Sequence, residues 1–262
     1  MNIVVCIKQV PNTTEIRIDP VTNTLVREGV ESILNPFDTY AIEEAVRLKE
    51  EHGGKVTAVC MGPPQAEETL REAVSLGVDE IILLSDRRFA GADTWATSLT
   101  LAAAMKKIGD FDLIFCGQQA IDGDTAQVGP GIAAHLNLRQ GCFIRKIEAL
   151  TDCSVTVQRL LEDGFDRLQL KLPAVITVVK EINNPRLPSL RGKRNARNAE
   201  LKVWNADDLG LDAKEIGLNG SPTQVMKIFT PKHEKQTEVF TVEAQEAAEL
   251  IVDRLNRFTL GG

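Results

Sequence analysis

Short apolar runs alternate with longer amphipathic stretches through the first half of the chain. Ile3 to Ile7, Val56 to Met61, Glu80 to Leu84 and Phe111 to Cys116 read as strands buried on both faces, since their apolar residues run on instead of alternating with polar ones. Between them, Asp38 to Glu51, Pro64 to Leu76 and Ala92 to Ile108 carry apolar residues at helical spacing. Ile42, Ala45, Val46 and Lys49 trace one stripe with Ala41 and Leu48 beside it, and Ala66, Leu70, Ala73 and Val74 trace another. Pro63 and Pro64 suit a helix start; Gly53 and Gly77 suit helix ends. This alternation predicts right-handed crossovers and an α/β fold with a doubly wound, mainly parallel sheet. Ligands of such sheets lie outside the carboxyl ends of the strands, so the segments after Ile7, Met61, Leu84 and Cys116 are the ones to watch.

The second half has a different texture. Ser154 to Leu160 and Arg167 to Leu172 alternate apolar and polar residues around Glu162-Asp163-Gly164, which predicts an antiparallel hairpin extending the same sheet. Pro173 to Val179 returns as a buried strand. Asn183 to Asn198, rich in Pro, Arg and Asn, shows neither helical nor strand period, and a polar region follows to about Lys235. Glu243 to Phe258 predicts an amphipathic helix with Ala244, Ala247, Ala248, Ile251, Val252 and Leu255 on one face, which either docks on another subunit or folds back on its own domain. The expected domains are therefore 1–200 and a C-terminal arm, 201–262. No internal repeat is found.

Composition narrows the function classes. A chain of 262 residues, 43% of them hydrophobic, can bury a large core without disulfides. Its formal charge of −7 argues against nucleic acid as a partner. Cys6, Cys60, Cys116, Cys142 and Cys153 are odd in number and never paired as C-x-x-C, so neither a disulfide framework nor zinc is indicated, and a reducing compartment is expected. No run is long enough for a membrane span and the N-terminus enters a strand at once, which places the protein in the cytoplasm. His52, His135 and His233 each stand alone, offering little to acid–base or metal chemistry.

The stretch Cys116 to Ala134, C-G-Q-Q-A-I-D-G-D-T-A-Q-V-G-P-G-I-A-A, carries the chemistry. It leads from a buried strand into a small-residue helix, so its N–H groups collect at a helix N-terminus, which bears roughly +0.5 of a charge and binds anions. Gly117, Gly123 and Gly129 are expected to let a phosphate approach the backbone. The plainer alternative is that Asp122 and Asp124 merely cap the helix. A calcium loop is disfavoured because no later Glu stands at the required spacing.

Four segments taken together, Val4-Val-Cys-Ile-Lys-Gln-Val-Pro11, Asn35-Pro-Phe-Asp38, Met61-Gly-Pro-Pro64 and the Gln118 to Pro130 loop, resemble the β subunits of electron-transfer flavoproteins. Leu172-Pro-Ala-Val-Ile-Thr177 and Asn184-Pro-Arg-Leu-Pro-Ser-Leu190 extend the likeness over roughly the first 200 residues. The resemblance implies an adenine nucleotide α-hydrolase-like fold and an obligate α subunit holding a redox FAD. It also implies a nucleotide in this chain held by Cys6, Lys8, Asn35, Asp38, Met61, Cys116, Gln118, Gln119, Asp122, Gly123, Asp124, Thr125, Ala126, Gln127, Val128, Gly129 and Pro130. For Cys6 and Met61, plain core packing is the alternative.

In respiratory members of that family the nucleotide is a structural AMP; in electron-bifurcating members of anaerobes it is a second FAD that accepts a hydride from NADH. Ser85 to Thr97 and the Asp122-Gly-Asp-Thr125 form of the loop look like the bifurcating type, adding Phe89, Gly91, Asp93, Thr94 and Thr97 to the expected FAD contacts. Physically, Gly91 allows close approach, and Asp93 and Thr94 offer a helix cap and hydrogen-bonding groups. No catalytic side chain and no metal are required, because the flavin carries the chemistry. The low-potential acceptor is then a ferredoxin or flavodoxin, and the other an acyl-CoA dehydrogenase or related flavin dehydrogenase. By the same resemblance, residues 183–198 are a recognition loop in which Arg186, Leu187, Leu190, Arg191, Lys193 and Arg194 meet that dehydrogenase: Leu190 inserts, and the basic residues steer. An adenylating enzyme would want a Ser/Gly-rich loop after the first strand, and Lys8-Gln9-Val10-Pro11 is not one.

Overall fold

The computed structural model describes residues 1–12, 32–226 and 239–259, so His233 and the stretch from 227 to Lys235 lie outside it. The chain divides into two compact units, Met1–Met226 and Lys227–Gly262.

The first unit opens with β1 (Asn2–Ile7) and a short antiparallel ladder of β2 (Gln9–Pro11) with β3 (Ser32–Leu34). Helix α1 (Pro36–His52), β4 (Lys55–Met61), α2 (Glu67–Ser75), β5 (Glu80–Leu84), α3 (Thr94–Ile108), β6 (Leu113–Gly117) and α4 (Val128–Leu136) follow in alternation. Then come β7 (Arg139–Leu150), β8 (Ser154–Leu160), β9 (Phe165–Lys171), β10 (Ala174–Val178), α5 (Leu190–Asn198) and β11 (Leu201–Trp204). One nine-stranded sheet results, ordered β11-β5-β4-β1-β6-β10-β7-β8-β9. It is parallel from β11 to β7, and the β8–β9 hairpin extends it antiparallel, as expected.

Alternation along β1 sorts the core into two layers. Ile3, Val5 and Ile7 face the layer built with Ile42 and Val46 of α1 and Leu70 and Ala73 of α2; Val4 and Cys6 face Leu101 and Met105 of α3 and Ile132 of α4. Each fully buried Leu or Ile there contributes roughly 1.5–3 kcal/mol. Cys6, Cys60 and Cys116 are buried in these layers as small hydrophobes, and Cys153 is exposed.

Three expectations need correcting. Residues 190–198 are helical although no period shows, because the face that packs is only Gly192 and Ala196. A Cβ on Gly192 would lie 2.1 Å from the Ser75 carbonyl oxygen, so α5 sits on α2 at backbone distance, and Arg71 donates to the Ala196 carbonyl. Strand β11 lies in the stretch read as merely polar, and it pairs with β5, so the compact unit passes residue 200 and runs to Met226. Strand β7 was not expected at all: register shifts against both neighbours and a left-handed Phe143 (φ 59°) break its alternation.

In the second unit, α6 (Ala244–Thr259) forms where its amphipathic pattern predicts, with Ile251, Val252 and Leu255 exposed and Arg254 stacked on Phe240. No helix among the described residues is long and apolar enough to cross a membrane.

Candidate functional site

The strand order reverses direction at the centre of the sheet. From β1 the chain adds β4 and β5 on one side, then returns to lay β6 on the other, so the crevice between the carboxyl ends of β1 and β6 is the topological switch point. Cys6 and Cys116 are direct partners in that ladder. A hydrogen bond with the adjacent Cys6 thiol, together with burial, pushes the Cys116 thiol up, and burial pushes Cys60 up to about 12, so Cys116 and Cys60 stay protonated and pack.

The loop after β6 is fastened over this crevice by the segments that the sequence singles out. Asn35 is almost fully buried; its Nδ2 donates to the Gln119 carbonyl at 2.9 Å, and its Oδ1 accepts the Ile121 N–H at 3.2 Å. Lys8 Nζ reaches both oxygens of Asp122, at 2.7 and 2.8 Å. Gln119 donates to Asp124, which stands in the left-handed region with Ala126 (φ 56° and 55°). Such φ values in non-glycine residues cost energy that surrounding bonds must offset.

Asp122 and Asp124 therefore do not cap α4. Its N-cap is Gln127, and no side chain bonds there. Val128 and Gly129 occupy the first two helical positions and Pro130, without an N–H, the third, so the positive end of α4 is left without a side-chain cap. The Lys8–Asp122 pair is part-exposed on both sides, hence worth at most about 1 kcal/mol, and it yields readily to a competing anion. An uncapped helix start, preceded by a loop whose Asp122 holds Lys8 so weakly, suits a phosphate or diphosphate.

Two of the three glycines serve a different purpose from the one expected. A Cβ on Gly117 would lie 2.4 Å from Asp38 Oδ1 and 2.7 Å from the Phe37 carbonyl carbon; one on Gly129 would lie 2.5 Å from Thr177 Cγ2. They admit α1 and β10 to the strand ends, and only Gly123 faces open space. Asp38 itself is buried, accepting the Lys8 N–H at 2.8 Å. Burial raises its pKa to about 7 against the lowering effect of hydrogen bonds from Asn35 and the backbone of Lys8 and Gly117.

The segment after β5 reaches the same loop at one point, where the Thr94 and Thr125 hydroxyls lie 3.4 Å apart. Asp93 caps α3 through the Ala96 N–H, as expected. Its other oxygen, however, accepts both the N–H and the hydroxyl of Thr223, and its own N–H donates to Ser221, so this carboxylate is committed within the chain. Partial burial opposes its ionisation, but the hydrogen bonds prevail and hold it below the usual carboxylate range. Phe89 is buried in the core, not displayed on the loop, and Gly91 (φ 73°) turns beneath Leu218. Thr97 lies on the first turn of α3 and Met61 at the end of β4, both half-buried.

The segment from Arg186 to Arg194 is placed against α1 and α2, not among these loops. Leu187 and Leu190 are each 88% exposed, and Arg191, Lys193 and Arg194 are exposed on α5. Arg186 instead bonds Glu43 and Glu50 of α1. Sequence reading missed Glu43, Glu50, Thr223 and Ser221, for their partners lie over a hundred residues away and leave no local signature.

Comparison with known proteins agrees with this geometry. The electron transfer flavoprotein domain matches residues 22–209. An electron transfer flavoprotein subunit beta from Thermoanaerobacterium thermosaccharolyticum is 54% identical, covering 98% of both chains. One from Clostridium acetobutylicum is 49% identical over 97% of this chain and 98% of its own. A subunit named CarD of the caffeyl-CoA reductase-Etf complex of Acetobacterium woodii is 48% identical over 97% and 98%. With its strand-end loops gathered at the switch point and this likeness along nearly its whole length, the chain belongs to the electron transfer flavoprotein family, among its β subunits.

Proposed function

We infer that this chain pairs with an electron-transfer flavoprotein α subunit and holds an FAD in a heterodimer of the bifurcating kind. That heterodimer oxidises NADH and divides the electrons between a ferredoxin or flavodoxin and, through the α-subunit FAD, an acyl-CoA dehydrogenase-like enzyme. The observation that carries this reading is the meeting of the β1 end, the start of α1 and the loop after β6 at the switch point, clamped by Lys8, Asn35 and Asp38. Thr94 beside Thr125 brings the segment after β5 to the same loop, which supports a ligand that reaches past the loop toward α3. The name of the Acetobacterium relative, a subunit of a CoA-ester reductase complex, points the same way.

A flavin bound there supplies hydride acceptance and one-electron transfer; the chain's share is binding, orientation and water exclusion. The start of α4 and Lys8 would hold the diphosphate, and backbone groups beside Cys6 and Met61 the adenine edge. Thr94, Thr97 and the Gly91 turn would lie toward the isoalloxazine. The exposed apolar face of α6 suits docking on the α subunit.

Cofactor stoichiometry of the co-purified heterodimer tests the assignment. Two FAD per heterodimer are expected; one FAD with one AMP would mean the respiratory type, and no nucleotide in this chain would overturn both. At the exposed tip, Leu190→Ala is expected to slow electron delivery to the dehydrogenase about tenfold with flavin content unchanged, since truncating a side chain that fills a desolvated pocket in the partner costs more than truncating its neighbours. Equal loss of flavin would point to misfolding instead.

A further inference from the structure

Arg186 carries a charge that the docking surface does not use. Its backbone N–H and Nε both bond Glu43 Oε2, at 3.1 and 2.8 Å, and its Nη2 bonds Glu43 Oε1 at 3.2 Å. Nη1 and Nη2 bond the two oxygens of Glu50 at 2.6 and 2.9 Å. One guanidinium thus bridges two carboxylates a double turn apart on α1, and Glu43 is 7% exposed. Three residues earlier, Asn183 Nδ2 donates to the Tyr40 carbonyl and to Glu44, also buried, on the same helix. On the far side, Ser189 caps α5 by accepting the Gly192 N–H, and α5 is seated on α2. Leu187 and Leu190 project from this held segment, and Pro185 and Pro188 restrict the backbone around them.

We propose that Arg186 is a positioning residue: clamped between Glu43 and Glu50 of α1, it presents Leu187 and Leu190 in a preformed geometry to the acceptor dehydrogenase instead of steering that protein by its charge. This rests on the docking role proposed above and adds what makes that tip rigid. A tip held before contact loses little conformational freedom on binding, which is where affinity is gained without new contacts. The positive charge of an arginine bonded to two carboxylates is more than offset by them, so the clamp offers a partner no net positive field, and the exposed Arg191, Lys193 and Arg194 are left to set it.

The decisive comparison is between Arg186→Gln and Glu43→Gln in the intact heterodimer, with electron delivery measured against the concentration of a purified acyl-CoA dehydrogenase. The clamp predicts the same sign for both: the half-saturating dehydrogenase concentration rises about tenfold as preorganisation is lost. The plateau rate stays within about twofold, because the interaction acts on binding. The double variant is no worse than either single one, since both break the same unit. A steering role predicts opposite signs, Arg186→Gln weakening and Glu43→Gln strengthening docking, both effects fading with salt; that outcome overturns the proposal. So does no effect of either variant where Leu190→Ala has one. Loss of the Leu190→Ala effect itself would instead remove the docking reading. Where Glu43→Gln fails to fold, Glu50→Gln at the exposed end of the clamp is expected to shift docking in the same direction by less. Hydrogen exchange at residues 187–192 should quicken in each variant while the β1 and β6 amides stay protected; unchanged exchange there counts against the clamp.

Discussion

Asn35→Asp is expected to weaken nucleotide binding about 100-fold, which is about 3 kcal/mol in binding free energy. The substitution keeps size and shape and changes one group from donor to acceptor. Asn35 Nδ2 donates to the Gln119 carbonyl, whereas an aspartate oxygen in its place faces that carbonyl without a proton between them. At 1% exposure no water makes up the loss, and a charge there must be desolvated beside Asp38. The Gln119–Ile121 stretch is then released from the strand ends, together with the loop that carries the α4 N-terminus. Titrating nucleotide-stripped heterodimer with FAD, and separately with AMP, reads the affinity. Urea unfolding separates a loosened loop from a lost fold, since only the loop's anchor is altered. Affinity within about threefold of the original, less than 1 kcal/mol, would mean that this loop does not hold the nucleotide.

Asp38 governs the second large effect, through pH. Its folded pKa, about 7, lies above the ordinary value of 3.8 because burial disfavours the carboxylate. The folded chain therefore binds this proton more tightly than the unfolded one. The resulting stability is fully present below about pH 4 and is lost as pH rises through about 7, a contribution on the order of 4 kcal/mol. Burial raises Glu44 and Glu72 in the same sense, while Glu50, Glu80 and Asp86 are lowered chiefly by hydrogen bonds from Arg186, Lys55 and Arg88. The whole profile is thus a sum of opposing contributions, and the difference between the original chain and Asp38→Asn isolates this one. Asparagine can still accept the Lys8 N–H and does not titrate. The gap between the two chains' urea-derived stabilities should change steadily from pH 4 to pH 7, moving in favour of Asp38→Asn. A gap that stays flat over that range would show that Asp38 is not held in a desolvated site.

Strand ends and helix starts near the Gln118 to Pro130 loop were legible in the sequence because each has a local cause. Valine and isoleucine runs make doubly buried strands, Pro36 opens α1, and Asp93 caps α3. The loop's membership in the site was likewise visible in its glycines and its position after a strand. What those glycines do was not: Gly117 and Gly129 are small because Asp38 and Thr177 press against them, and those neighbours are distant in the chain. For the same reason the commitment of Asp93 to Thr223 could not be read locally. Helix α5 escaped notice because glycine and alanine form its buried face, and hydrophobic periodicity has nothing to register where packing is backbone on backbone.

Local patterning by itself determined the parallel sheet, its helices and which glycine-rich loop leads from a buried strand into a helix start, since these follow from the period of apolar residues and the chemistry of turns. The tertiary structure alone decided that Lys8, Asn35 and Asp38 meet that loop, and that Arg186 is spent on α1. Those partners are joined by the return of β6 beside β1 and by the chain passing back over the first helix. Such pairings depend on topology, and no stretch of neighbouring residues contains it.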